Sequence, residues 1–180
     1  DEAFAQFSKW GVKGVKIDFM DRNDAKMVNF YEQVAIKATQ YKLLVDFHGS
    51  YPNEGMRRKY PNLMTREGVI GLEYNKWSKS APVTHDVIIP YLRMWVGPMD
   101  YTPGAMLHAH PETFYENQHE PMSQGTRCRQ LATYVIFDSP LNMLCDNPSN
   151  YKREPECTAF IARIPTVWDE TLGLDGKVGE

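Results

Sequence analysis

No apolar run in the sequence approaches the ~20 residues that a helical membrane span needs, so nothing in it points to a membrane helix. An excess of Lys and Arg is also lacking, because the 180 residues carry a net charge of −3. The basic face expected of a nucleic-acid partner is therefore missing. Cysteine is scarce. Cys128, Cys145 and Cys157 are an odd number with no CxxC or CxxxxH spacing, which weakens both a disulfide and a zinc reading and leaves buried or incidental thiols. The chain opens on DEAFAQFSKW, which has none of the marks of a signal peptide and reads as the end of a helix inside a longer protein. Neither a repeat of solenoid length nor a low-complexity tract is present.

What is present suits one packed core, with 42% hydrophobic residues. Strand-like apolar runs alternate with helical ones. The run 14–19 reads as a first strand, a helix follows from Asn23 to about Tyr41, and 42–47 is the next strand. In that helix Met27, Phe30, Val34, Ala38 and Tyr41 recur at three-to-four spacing. A short helix is expected over 54–60, a third strand over 68–74, and a helix over 84–95 that Pro90 must kink. Residues 96–101 and 139–146 are the fourth and fifth candidate strands. Between them lie a long loop, 102–125, and a helix over 126–138; a last helix runs over 154–164. This alternation predicts an α/β fold of parallel strands covered by helices.

Polar residues recur at the ends of those runs, at Asp18, His48, Glu73, Asp100 and Asp146. That pattern suggests a (β/α)8 barrel, whose active site gathers at the C-terminal edge of its strands. Five strands are too few to close one, so the expectation is the later part of a barrel. Asp18 and Glu73 are candidates for the two carboxyl groups of a glycosidase, which a retaining enzyme holds about 5–5.5 Å apart. Lys16 shares a face with Asp18 by period two, as Asp46 does with His48. Lys16 would hold Asp18 ionised, and Asp46 reads as structural support. Helix capping accounts for Asp21, Arg22 and Asp24. His108, His110 and His119 lack the helical i, i+4 pairing of a metal site.

The stretch from KIDFMDRNDAKMVNFYEQV through YKLLVDFHGSYPNEG to TREGVIGLEYNKW, with GPMDYTPGAM and DNPSNYKREPECTAFIARIPTVWDET further on, resembles the catalytic core of glycoside hydrolase family 97. The resemblance covers nearly the whole chain. It implies the fourth to eighth strands of a (β/α)8 barrel over 1–167, then a connector, 168–180, into a C-terminal β-domain. The N-terminal β-sandwich, the first three strands and that β-domain would lie outside this chain. The inverting branch of the family has Glu directly after the His at the fifth strand end, where His48 is here followed by Gly49. Its retaining branch instead carries an Asp nucleophile at the fourth strand end, the position of Asp18. The resemblance therefore implies a retaining α-galactosidase with Asp18 as nucleophile and Glu73 as acid/base. It further implies a Ca2+ ion held by Glu67 and Glu73, sugar contacts from Lys16, His48 and Asn75, and export to the periplasm. An α-glucosidase or β-L-arabinopyranosidase using the same residues, and a non-catalytic carbohydrate-binding barrel, are the alternatives. The isolated fragment is expected to be unstable or inactive, since parallel strand edges would be left bare.

Overall fold

The computed structural model describes residues 1–52 and 55–180. A helix, α1 (Glu2–Lys9), leads into strand β1 (Gly14–Ile17), followed by the long helix α2 (Ala25–Gln40) and strand β2 (Leu44–Phe47). A single-turn helix, α3 (Met56–Lys59), precedes β3 (Leu63–Arg66). The three strands form one parallel sheet in the order β1-β2-β3. Arg66 also bridges in parallel to Met99, which extends the sheet by a single residue pair.

Helix α2 forms where the sequence predicts it. Asp24 caps it by accepting the Met27 N–H at 3.0 Å, satisfying one of the donors left bare at a helix start. Its buried face is Tyr31, Val34, Ala35 and Ala38. Tyr31, rather than the predicted Phe30, enters the core, and Phe30 stays 44% exposed. The helix packs on Leu43, Val45 and Phe47 of the β2 region and on Leu63 of β3. The Tyr31 and Phe47 rings meet edge to face with centroids 4.6 Å apart. Each such side chain fully buried contributes roughly 1.5–3 kcal/mol, so this face is what holds the sheet to its helix.

Three sequence expectations about strands are corrected. Of residues 96–101 only Met99 pairs, in the bridge to Arg66. Residues 68–74 are not a strand. The third strand is β3, a few residues earlier, and Leu72–Lys76 is a 3-10 turn. The apolar run VIGL goes instead into a bend whose Leu72 is buried with Met99, Tyr101 and Phe137 in a second core cluster. Residues 139–146 form no strand either. There Asp146 accepts the Met106 N–H and the Asn150 amide, tying two loops together.

Beyond the sheet, α4 (Val83–Leu92) does carry Pro90, and it gives way to a 3-10 turn at Arg93–Val96. The long loop contains a short parallel pair, β4 (Leu107–Ala109) with β5 (Met122–Gln124). Helix α5 (Arg127–Ile136) is capped by Thr126, and two short helices, α6 (Pro148–Arg153) and α7 (Pro155–Ile161), follow. Residues 168–180 contain no helix or strand.

Candidate active site

The C-terminal ends of the parallel strands bring a set of ionisable side chains together. Backbone pairing continues one step past each strand: His48 N–H donates to Ile17 O, Glu67 N–H to Phe47 O, and Asp100 N–H to Arg66 O. Asp18, His48, Glu67 and Asp100 therefore follow successive strand ends. Alternation along an extended chain puts Arg66 and Glu67 on opposite sides. The Arg66 guanidinium lies over the rings of Tyr31 (4.2 Å) and Tyr51 (4.9 Å), while Glu67 turns to the mouth. Among the described residues no carboxylate pairs with Arg66, and the aromatic faces take that role.

His48 is the centre of the cluster and is fully buried. Its Nε2 stands 2.6 Å from Asp100 Oδ2 and 3.5 Å from Asp46 Oδ2. Its Nδ1 lies 3.6 Å from Glu67 Oε1. The other Glu67 oxygen accepts the Gly49 N–H at 2.7 Å. Burial pushes the Glu67 carboxyl up to about 7, and the Glu73 carboxyl beside it adds to the rise, against the pull of His48 and the Gly49 N–H. Ligand atoms of His48, Glu67 and Glu73 all lie within 4.8 Å of one another, as do those of Asp46, His48 and Asp100.

Asp46 and Asp100 form a buried acid pair. With both ionised, neither could donate a hydrogen bond to the other. Burial, and then the Asp100 charge, raise the Asp46 carboxyl to about 9, so it holds a proton at neutral pH. Burial also works to raise Asp100, but the hydrogen bond with His48, the neighbouring Asp46 carboxyl and the charges of His48 and Lys16 outweigh it and hold that carboxyl low. This has a consequence for stability. Asp46 binds its proton more tightly folded than unfolded, so its contribution is fully present below the unfolded value near 3.8 and is lost as pH rises through about 9. Asp46→Asn, a neutral isostere facing the same Asp100, Lys16, His48 and Glu67, is expected to flatten that slope. The full-length variant should lose less melting temperature than the parent between pH 6 and pH 9. An equal loss would show that Asp46 is not the group responsible.

The turn after β1 carries Asp18. Its Oδ1 accepts the Phe19 N–H at 2.6 Å, and the side chain is exposed rather than sealed in the interior. Phe19 and Asp21 both have positive φ, at 63° and 46°, a conformation that non-glycine residues rarely adopt. Across from them, Gly49 has φ of 54°. A β-carbon there would come within 3.0 Å of Phe19 N and 3.1 Å of the carboxylates of Asp18 and Asp21. The absence of a side chain at position 49 is thus what lets the Asp18 carboxylate lie against the loop. Gly49→Ala is expected to displace Asp18 and lower kcat by about tenfold to a hundredfold; unchanged steady-state kinetics in the full-length protein would refute it.

Glu73 sits on the 3-10 turn, partly exposed. Its neighbour Tyr74 lines a cleft of about 550 Å3 together with Asp21, Gly49, Ser50 and Glu67, within the ~300–1,000 Å3 usual for small-molecule sites. Burial raises the Tyr74 phenol, and the charges of Glu67, Glu73, Asp21 and Asp18 all add to it. The charges of both sequence-predicted catalytic carboxylates are thus felt at the same phenol.

The other expected site residues divide. Lys16 is exposed and sits in register with Asp46 on the neighbouring strand, so its charge reaches the buried acids. Asn75 is fully buried and donates to Met122 O at 3.0 Å, which ties the 3-10 turn to β5. Two residues on from Asn75, and outside those expected contacts, Trp77 is half-exposed, its ring tilted against Tyr74 at 5.3 Å. Of the capping residues only Asp24 caps; Asp21 and Arg22 line the cleft. Among the described residues His108, His110 and His119 join no group of three metal-ligating side chains. All three cysteines are free thiols.

Sequence reasoning passed over Arg93. Its buried guanidinium donates to the carbonyls of Gly68, Gly97, Arg66, Glu67 and Pro98 and so fixes the backbone on which Glu67 stands. A lone arginine inside YLRMWV was the available signal.

Residues 1–69 match the family model for glycoside hydrolase 97. The chain is 57% identical over 176 residues to a retaining alpha-galactosidase of Bacteroides thetaiotaomicron, covering 97% of this chain and 27% of that protein. It superposes on a family 97 enzyme of Pseudoalteromonas sp. strain K8, solved in complex with acarbose, with a TM-score of 0.80 at 34% identity over 99% of this chain and 29% of that one. A beta-arabinopyranosidase structure superposes with a TM-score of 0.82 at 28% identity, again over 99% of this chain and 29% of the other. The chain thus spans about a quarter of the length of the curated relatives it matches. Alike in sequence and in fold from end to end, this chain is a fragment of a glycoside hydrolase family 97 protein.

Proposed function

We propose that the protein containing this chain is a retaining exo-acting α-galactosidase. The observation that carries the reading is that Asp18 and Glu73 each lie beside a residue lining one open cleft, Asp18 against Gly49 and Glu73 beside Glu67. Asp18 would attack the anomeric carbon as the glycosidic bond breaks and Glu73 gives its proton to the leaving oxygen. Glu73 would then take a proton from water as that water displaces Asp18, and the sugar leaves with its original configuration. Gly49 supports retention, since the residue that could act as a base after His48 is missing and its space accommodates Asp18.

We read β1, β2, β3 and the Met99 bridge as successive strands in the fourth-to-eighth part of a (β/α)8 barrel, with residues 168–180 leading to a further domain. A Ca2+ ion suits the mouth. The Glu67 and Glu73 carboxylates offer oxygen donors side by side, and burial raises the Glu67 carboxyl despite the pull of His48 beside it. Glu67 and Glu73 would hold the ion with further oxygens from elsewhere, and it would supply fixed positive charge for the carboxylates. Export to the periplasm belongs to the same reading through the family resemblance alone.

The test is the anomer released. Proton NMR of the full-length protein acting on nitrophenyl α-galactoside is expected to show α-galactose first, and β-galactose only by later mutarotation. An initial β-product would sink the double displacement. Faster turnover of the α-glucoside or of the β-L-arabinopyranoside would move the specificity to the alternatives, and the neighbouring beta-arabinopyranosidase fold keeps the latter in view.

A further inference from the structure

Asp100 stands behind His48 and is not among the residues that line the cleft. Both of its oxygens are engaged: Oδ2 with His48 Nε2 at 2.6 Å and Oδ1 with the Thr102 N–H at 3.3 Å. Thr102 itself is held at a positive φ of 52°, so its backbone is bent to present that N–H. The carboxylate is fully buried and its backbone N–H is tied to Arg66 O at the end of β3. An ionised carboxylate can only accept, so the proton in the 2.6 Å contact belongs to Nε2. The opposite edge of the ring is then fixed as well. Nδ1 is buried, has no hydrogen-bond partner among the described residues, and faces Glu67 Oε1 at 3.6 Å. Glu67 in turn stands beside Glu73.

Resting on the glycosidase reading, we propose that Asp100 is a positioning residue for the acid/base. It clamps the His48 ring against Glu67, and Glu67 sets the seat of the Glu73 side chain. A carboxylate behind an imidazole is a recurrent way of fixing ring orientation and tautomer, and removing such a partner typically costs about 10–100-fold. Asp46 lies on the other flank of Nε2 at 3.5 Å and limits how far the ring can tilt. Nothing in this arrangement requires Asp100 to touch the sugar.

The experiment compares two leaving groups on the full-length Asp100→Asn variant. Melibiose needs its leaving oxygen protonated, whereas dinitrophenyl α-galactoside leaves without help. A loosened Glu73 is expected to lower kcat/KM for melibiose by about tenfold or more and to leave the dinitrophenyl substrate within about threefold. An equal loss on both substrates, or no loss on either, would overturn the positioning role while the α-galactosidase reading stands. A parent protein that splits neither substrate overturns both. Should Asp100→Asn fail to fold, His48→Gln read on the same pair must give the same selective loss, and a parallel loss counts against the proposal equally.

Discussion

Asp18→Asn in the full-length protein is expected to abolish measurable hydrolysis of α-galactosides, a fall in kcat on the order of 10^4 or more. The substitution keeps the shape of the side chain, and Oδ1 can still accept the Phe19 N–H. What disappears is the anionic oxygen that would form the glycosyl ester. Substrate binding should survive, so KM or an inhibition constant for galactose should move far less than kcat. External azide can approach residue 18, because the side chain is exposed. With the attacking face open, azide should restore turnover and yield the β-galactosyl azide, since the displacement then occurs once. Near-normal hydrolysis by the variant would end the case for Asp18 as nucleophile.

Glu73→Gln should produce a different pattern, about 10^2–10^4-fold loss on substrates with poor leaving groups. A dinitrophenyl galactoside should still react with Asp18, but the galactosyl-enzyme would then persist, because no base activates water. A burst of dinitrophenol followed by slow turnover is the expected trace, and azide should now give the α-galactosyl azide. The two variants thus predict azides of opposite configuration. Obtaining the same anomer from both would contradict the assigned roles. Glu73 lies beside Glu67, so the glutamine also removes one carboxylate from the pair proposed to hold Ca2+. Measuring calcium affinity for this variant separates a weakened ion site from lost acid catalysis.

Some of this was legible in the residues and some was not. Helix α2 was readable because its capping Asp24 and its three-to-four apolar spacing are local signals. Even so, the face was misjudged by one residue, since the choice between Phe30 and Tyr31 depends on which ring meets Phe47 across the sheet. The misread strand at 68–74 shows the limit of periodicity. A short apolar run satisfies a strand pattern and a buried bend equally well, and the Arg93 bonds to the Gly68, Glu67 and Arg66 carbonyls set the backbone there. Asp100 was visible only as a polar residue after an apolar run. Its grip on His48 links positions 52 residues apart, which no local pattern records.

By itself the sequence determined the α/β alternation, the parallel strands with polar residues after them, and the carboxylates at positions 18 and 73. Those follow from side-chain size, polarity and spacing, which act between near neighbours in the chain. Only the tertiary structure decided that His48 is sealed between Asp100 and Glu67, that Asp46 keeps its proton, and that a bare Gly49 makes room for Asp18. Each of those depends on burial and on distances between separate strand ends, which exist only once the strands lie side by side.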